Sequence, residues 1–214
     1  MPHRAAESSE PVRPLSRGEA RRRAFLDAAA DAFLEHGFEA ASVNEIVRRA
    51  GGSLATLYQQ FGSKEQLFQA AVEERVSRAI APMVHAADHN LPIRQGLQAI
   101  GEAFLGALVS PGGVAIFRVS IGEARKFPEV MRTFLLTGPD RVRQVVSAYL
   151  AARAPQDGCS FASVERAADY FCEMVRGRYQ YRALADPSFQ LSQDDIRVHV
   201  AAAVDFFVRG AGGD

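Results

Sequence analysis

The sequence predicts an all-α fold. Apolar residues recur at three- and four-residue spacing through most of the 214-residue chain. Serine caps, glycines and prolines cut that pattern into helix-length pieces. No stretch of about six residues alternates strictly with β-branched enrichment, so no strand is expected.

Length suits one moderately large domain or two small ones sharing an interface, and 48% apolar residues suffice for a core. No apolar run approaches the roughly 20 residues that span a bilayer. The N-terminus lacks the apolar segment of a signal peptide. The expectation is a soluble, cytoplasmic protein without a membrane partner. Cys159 and Cys172 are too few for a disulfide framework and lack metal-site spacing, so they are expected as small hydrophobes in or near the core. The 25 basic and 25 acidic residues balance, which argues against a nonspecific nucleic-acid coat. The balance is locally uneven: Arg13, Arg17, Arg21, Arg22 and Arg23 face a single acid, Glu19. Two readings stand, a basic arm that neutralises phosphates and a solvated, frayed end.

Residues 1–15 carry prolines, serines and mixed charge without periodicity, as a disordered tail does. A helix then begins near Arg17 and places Phe25, Ala28, Ala29, Ala32 and Phe33 on one face. It ends near Gly37, with Phe38 closing over the end. The stretch from Ser42 to Phe68 organises the rest. Ser42 and Glu45 form a capping box, and Val43, Ile46, Val47 and Ala50 follow at helical spacing. Gly51 and Gly52 permit a left-handed turn. Ser53 caps a second short helix with Leu54, Leu57 and Phe61 inward and Ala55, Thr56, Tyr58 and Gln59 outward. Ser63 with Gln66 is another capping box, opening a helix to about Ala81. This is the layout of a helix-turn-helix, whose second helix enters the DNA major groove.

Pro82 and the segment from His85 to Pro92 break the pattern. His85 and His89 lack third and fourth ligands for zinc, so a solvated linker is expected there and no metal. Further helices are expected at about Ile93–Val109, Val114–Lys126, Pro128–Leu136 and Pro139–Arg153, with Ser110 to Gly113 as a terminator. A loop at Pro155 to Ser160 precedes one long helix whose face runs from Val164 to Arg178. The last helix is capped by Ser192 with Asp195 and reaches about Arg209. Ile196, Val200, Ala203, Val204 and Phe207 make one apolar stripe on it, and Val198, Ala202 and Phe206 make another. The second stripe meets either another chain or the protein's own core. Enzyme signatures are missing: there is no nucleophile elbow, phosphate loop or HExxH, and Glu102, Glu123 and Glu173 lack the Glu-x-x-His of di-iron bundles. No cofactor is expected.

Gly37-Phe38, Ser42-Val43, Ile46, Ala50-Gly51, Ser53, Thr56-Leu57-Tyr58, Phe61 and Ser63-Lys64-Glu65-Gln66-Leu67-Phe68 together resemble the DNA-binding domain of the TetR family of bacterial regulators. Ile121 to Val130, Gly138 to Arg141 and Tyr149-Leu150 are similar to the C-terminal domain of the AefR-like branch. The resemblance implies a helix-turn-helix domain at 16–62 and a ligand-binding and dimerisation domain at 63–214, joined by a linking helix at 63–81. Two departures stand out. Gly52 occupies a position where the family usually has a small apolar residue, and a second glycine there should loosen the turn. Gln59-Gln60 replaces a frequent His or Tyr.

The resemblance further implies a dimeric, effector-released repressor on a pseudo-palindromic, double-stranded DNA operator. Tyr58 and Lys64 would contact phosphates, with the helix N-terminus at Ser42, while Arg17 and Arg21 belong to the basic arm. Ala55, Thr56 and Gln59 would read bases, with Ser53 and Leu54 at the edge. For Gln59 a water-facing side chain is the other reading. A small apolar effector would enter the C-terminal domain. Phe104, Leu108, Phe117, Met131, Phe134, Phe171, Met174 and Arg178 are lining candidates, each with plain core as the alternative. Val164, Ala168, Val198, Ala202 and Phe206 are candidates for the homodimer interface.

Overall fold

The structure is a computed structural model that describes residues 16–211. The expected tail at 1–15, with Arg13, lies outside the described residues. The described residues contain eleven α-helices and one 3-10 turn, joined by turns and loops, and no strand. In chain order they are α1 (Arg17–Ala40), α2 (Val43–Ala50), α3 (Leu54–Phe61), α4 (Lys64–Ala86), α5 (Ile93–Val109) and α6 (Pro111–Gly122). Then come α7 (Pro128–Thr137), α8 (Pro139–Arg153), the 3-10 turn (Ala154–Asp157), α9 (Val164–Arg176), α10 (Tyr179–Ala185) and α11 (Gln193–Ala211). No single helix among the described residues is long and apolar enough to cross a membrane.

Local chemistry explains most boundaries. The Ser16 hydroxyl accepts from the Glu19 amide at 3.2 Å, and the Glu19 carboxylate accepts from the Ser16 amide at 2.8 Å, a reciprocal box that opens α1. Gly37 interrupts α1 with φ 75° and ψ 175°, and Phe38 folds back onto Phe33, ring to ring at 5.8 Å. Ser42 caps α2 by a long contact of 3.5 Å to the Glu45 amide. The expected box is only half made there, because the Glu45 carboxylate turns to Arg49 at 2.8 Å.

The turn between α2 and α3 is built differently from the loose one expected. Gly51 is left-handed (φ 68°, ψ 34°); its amide donates to the Arg48 carbonyl and that of Gly52 to the Val47 carbonyl. These are the two bonds of a Schellman motif. A Cβ on Gly52 would stand 2.3 Å from Cζ of the fully buried Phe25. Phe25 also packs edge-on against Phe61 of α3, at 6.3 Å between centroids. The second glycine therefore brings the turn down onto α1 and tightens it.

Three expected boundaries are corrected. α4 runs through Pro82 to Ala86, with the buried Met83 just beyond the proline. The hydrogen bond that proline removes is offset by packing. The Ser110-Pro111 pair does not merely end α5; Ser110 also caps α6 by accepting from the Gly113 amide at 3.0 Å, with Pro111 in the first helical position. α6 accordingly starts earlier and stops at Gly122. The single long helix expected from Val164 is two helices, because Gly177 (φ 47°, ψ −142°) breaks it.

Two apolar cores result. One joins α1–α4, with Phe33, Leu57, Phe61, Phe68 and Val72 at its centre, and is completed by Ile116 of α6 and Val130 and Phe134 of α7. The other joins α5, α8, α9 and α11 around Leu97, Ile100, Tyr149, Phe171 and Val200, and takes Met83 from α4. Cys172 lies inside it, and burial pushes that thiol up to about 12, so it stays protonated. Pro92 offers no side-chain cap to α5. Asp157 supplies one from a distance, accepting from the Ile93 amide while held by Arg153 Nη2 at 2.7 Å. The Arg153 hydrogen bond, then the Ile93 amide, keep the Asp157 carboxyl below its usual range.

Two stability outcomes follow. Gly52→Val should destabilise the protein by about 1–3 kcal/mol in denaturant unfolding, because the new side chain overpacks against Phe25; an unchanged midpoint would contradict the close approach. Asp157→Ala should cost about 1 kcal/mol at neutral pH, as loss of a helix cap does. A carboxyl with a depressed folded pKa stabilises above its unfolded value and ceases to as pH falls through the folded value. The gap between wild type and Asp157→Ala should therefore narrow in acid; a gap that widens would rule the cap out.

Candidate nucleic-acid interface

α3 has eight residues and is placed by its two ends and its inner side. At the front, the Ser53 hydroxyl accepts from the Thr56 amide at 3.1 Å and lies 2.9 Å from the Thr56 hydroxyl. At the back, Gly62 takes φ 78° and its amide donates to the Tyr58 carbonyl at 2.8 Å. Leu57 and Phe61 are buried beneath. Ala55 and Gln59 are exposed, Tyr58 is 44% exposed, and Thr56 is half-buried. Leu54 departs from expectation: it is 41% exposed on the first turn of α3. Leu57 and Phe61 alone fill the inner side of so short a helix.

The cations expected near DNA divide by their contacts. Arg17 is exposed at the first position of α1. Arg21 is committed elsewhere: its guanidinium donates to the Ala50 carbonyl at 3.0 Å and to that of Gly51. It thereby caps the C-terminus of α2 and ties the turn to α1, a positioning role that spacing alone did not reveal. Arg22 lies over the Phe61 ring at 4.5 Å. Lys64, in the first turn of α4, donates to the Glu39 carbonyl at 3.1 Å and sits 4.7 Å above the Phe38 ring. Arg49 is paired with Glu35 and Glu45, which raises its own pKa and lowers that of Glu35. Ser42 is exposed at the α2 N-terminus.

A cavity of about 80 Å³ lies beside α4, lined by residues of α4–α8 and by one residue each from α9 and α10. Of the lining candidates, Phe104, Leu108, Phe117 and Phe134 do line it. Phe171 belongs to the C-terminal core and Met174 packs against it, while Met131 packs against the N-terminal core. Arg178 is exposed at the start of α10, because Gly177 turns the chain before it. Arg176 and Gln180, which sequence reasoning missed, stand in the cavity wall instead. Gly177 was the available signal: a glycine that ends α9 changes which arginine faces in.

Of the interface candidates, Ala168 is fully buried in the C-terminal core and Val164 packs against it, so neither forms an open face. Val198 and Phe206 of α11 are 65% and 75% exposed, and Ala202 is exposed between them. Ile196, Val200 and Phe207 of the same helix are buried. No group of three or more His, Cys, Asp or Glu residues is arranged to hold a metal ion among the described residues. His89 stacks on Tyr149 at 5.8 Å.

Known proteins share this arrangement. Residues 25–71 match the bacterial regulatory proteins of the tetR family, and residues 95–210 match the AefR-like transcriptional repressor C-terminal domain. The HTH-type transcriptional regulator BetI of Rhizobium meliloti is 30% identical over 195 residues, covering 86% of this chain and 92% of that one. The nicotine-responsive transcriptional repressor HdnoR of Paenarthrobacter nicotinovorans is 26% identical, covering 65% and 81%. A TetR-family structure from Mesorhizobium loti superposes with a TM-score of 0.85 at 22% identity, covering 92% of this chain and 98% of that one. The match of the C-terminal domain over more than half of the sequence, and of BetI over nearly all of it, establishes that this chain belongs to the TetR family of DNA-binding transcriptional regulators.

Proposed function

We propose that the chain is a repressor that binds a pseudo-palindromic operator as a homodimer and is released when a small effector with an apolar body occupies the cavity beside α4. One observation carries the effector reading. Ile116 and Phe134 line the cavity and also complete the core that holds α1–α4. A molecule lodged there presses on the packing of the DNA-binding half. A differential affinity of a few kcal/mol between two arrangements is enough to shift the population. Relatives support the class of signal: one is named nicotine-responsive, and a structural neighbour at TM-score 0.69 and 25% identity is named flavonoid-responsive. The repressor reading rests on the AefR-like match.

On the operator, the exposed side of α3 enters the major groove. The Tyr58 hydroxyl donates to a phosphate oxygen, and Lys64, Arg17 and the α2 N-terminus at Ser42 add phosphate contacts that fix register. Gln59 bonds an adenine edge, while Ala55 and the Thr56 methyl touch thymine methyls. Arg21 holds the turn and leaves the phosphates to its neighbours. The exposed stripe of Val198, Ala202 and Phe206 supplies the apolar contact between two copies.

The experiment is binding of duplexes selected from a random pool, followed by fluorescence anisotropy. Gln59→Ala should relax discrimination at one base pair by about 1–3 kcal/mol, whereas Tyr58→Phe should weaken all duplexes alike. Unchanged base preference in Gln59→Ala would take that residue out of the readout. Phe206→Glu should shift sedimentation toward a single protomer and weaken the operator with it. A stable dimer in that variant would place the interface elsewhere.

A further inference from the structure

The cavity beside α4 is apolar along most of its wall, with Ile80, Phe104, Phe117, Phe134 and Val142 among its residues. Two polar residues share that wall: Arg176, where α9 ends, and Gln180 of α10. Gln180 is only 5% exposed, and its side-chain amide makes no hydrogen bond among the described residues. The Arg176 Nη1 reaches the exposed Glu173 carboxylate at 3.3 Å. Its Nε is buried and has no hydrogen-bond partner among the described residues. An otherwise apolar wall therefore carries two polar side chains with unmet hydrogen-bonding capacity.

We propose that the ligand of this cavity is a small amphipathic monocarboxylate, its carboxylate bonded by Arg176 and the Gln180 amide, its apolar body lodged among the phenylalanines. The proposal rests on reading the cavity as an effector site. An arginine side chain has donors only and keeps its charge, so the group that satisfies it is an acceptor, and an anionic one bonds best. Apolar surroundings strengthen that bond and penalise a ligand that leaves the nitrogen unpaired. Glu173 pairs with Nη1 from the surface and leaves the Arg176 Nε without a partner of its own. Size limits the body. A dry apolar cavity of about 150 Å³ takes up benzene, so about 80 Å³ suits a short chain and is too small for a ring.

The test titrates butanoate, pentanoate and hexanoate, each beside its neutral amide, into the full-length protein by isothermal calorimetry. Each acid should bind about tenfold more tightly than its amide, the scale of one added charge-assisted hydrogen bond. Arg176→Met should bring acid and amide to near-equal affinity, and Gln180→Leu should reduce the preference several-fold. Circular dichroism checks that each variant folds. Should Arg176→Met fail to fold, the wild-type acid-to-amide ratio and Gln180→Leu decide the matter. Equal binding of acids and amides by the wild type, or a preference that survives Arg176→Met, overturns the head-group assignment and leaves the effector reading standing. No binding by any member of the panel, from protein that still holds a selected duplex, overturns both.

Discussion

The exposed side of α3 depends on one contact, the seat of the Phe25 ring between Gly52 and Phe61. Eight residues of helix are too few to hold their shape alone in water, so α3 takes its position from what it buries. Leu57 and Phe61 go under, which leaves Ala55, Tyr58 and Gln59 on the outside. The angle of α3 to α2 is fixed by the Gly51–Gly52 turn. Arg21 adds a polar tie from α1 to that turn, and Ser53 caps the helix that follows. Four small devices thus act on one element.

The helix α4 links this surface to the rest of the molecule. Its first half, with Leu67, Phe68 and Val72, belongs to the core of the DNA-binding end, and Met83 belongs to the C-terminal core. Residues of α6 and α7 complete the first core, and some of them wall the cavity. Close-packed interiors transmit a change of volume instead of absorbing it. In the proposed mechanism this continuity carries the effector's signal, with no hinge needed in the chain. Phe127 lies 4.3 Å from Phe38 between ring centroids, and Lys64 rests on the Phe38 ring, so the corner before α7 touches the end of α1 and the start of α4.

Much of the fold was legible in the sequence because its determinants are local. Caps at Ser53, Ser63 and Ser192, the Gly51 turn, the proline starts of α7 and α8, and the two apolar stripes of α11 all act within a few residues. What could not be read acts over distance. The sequence places Gly52 far from Phe25, and only the folded contact explains why a glycine stands there. Asp157 caps a helix that begins 64 residues earlier. Arg21 looked like part of a basic arm because its carbonyl partners lie 29 and 30 residues away. Elsewhere a local signal was ambiguous: Ser110-Pro111 ends one helix and begins the next. Gly177 sat inside a continuing apolar period, which exchanged Arg176 for Arg178 in the expected pocket. Ala168 has the size of an interface residue but lies inside, since α9 is packed by α5, α8 and α11.

A hydroxyl-radical footprint of the wild-type protein on a selected duplex tests the central claim most directly. Two copies of α3, each held outward by its own buried side, should protect two patches on one face of the DNA. Their centres should lie about 10–10.5 base pairs apart, or a whole multiple of that spacing. One protected patch, or two on opposite faces of the duplex, would contradict the account.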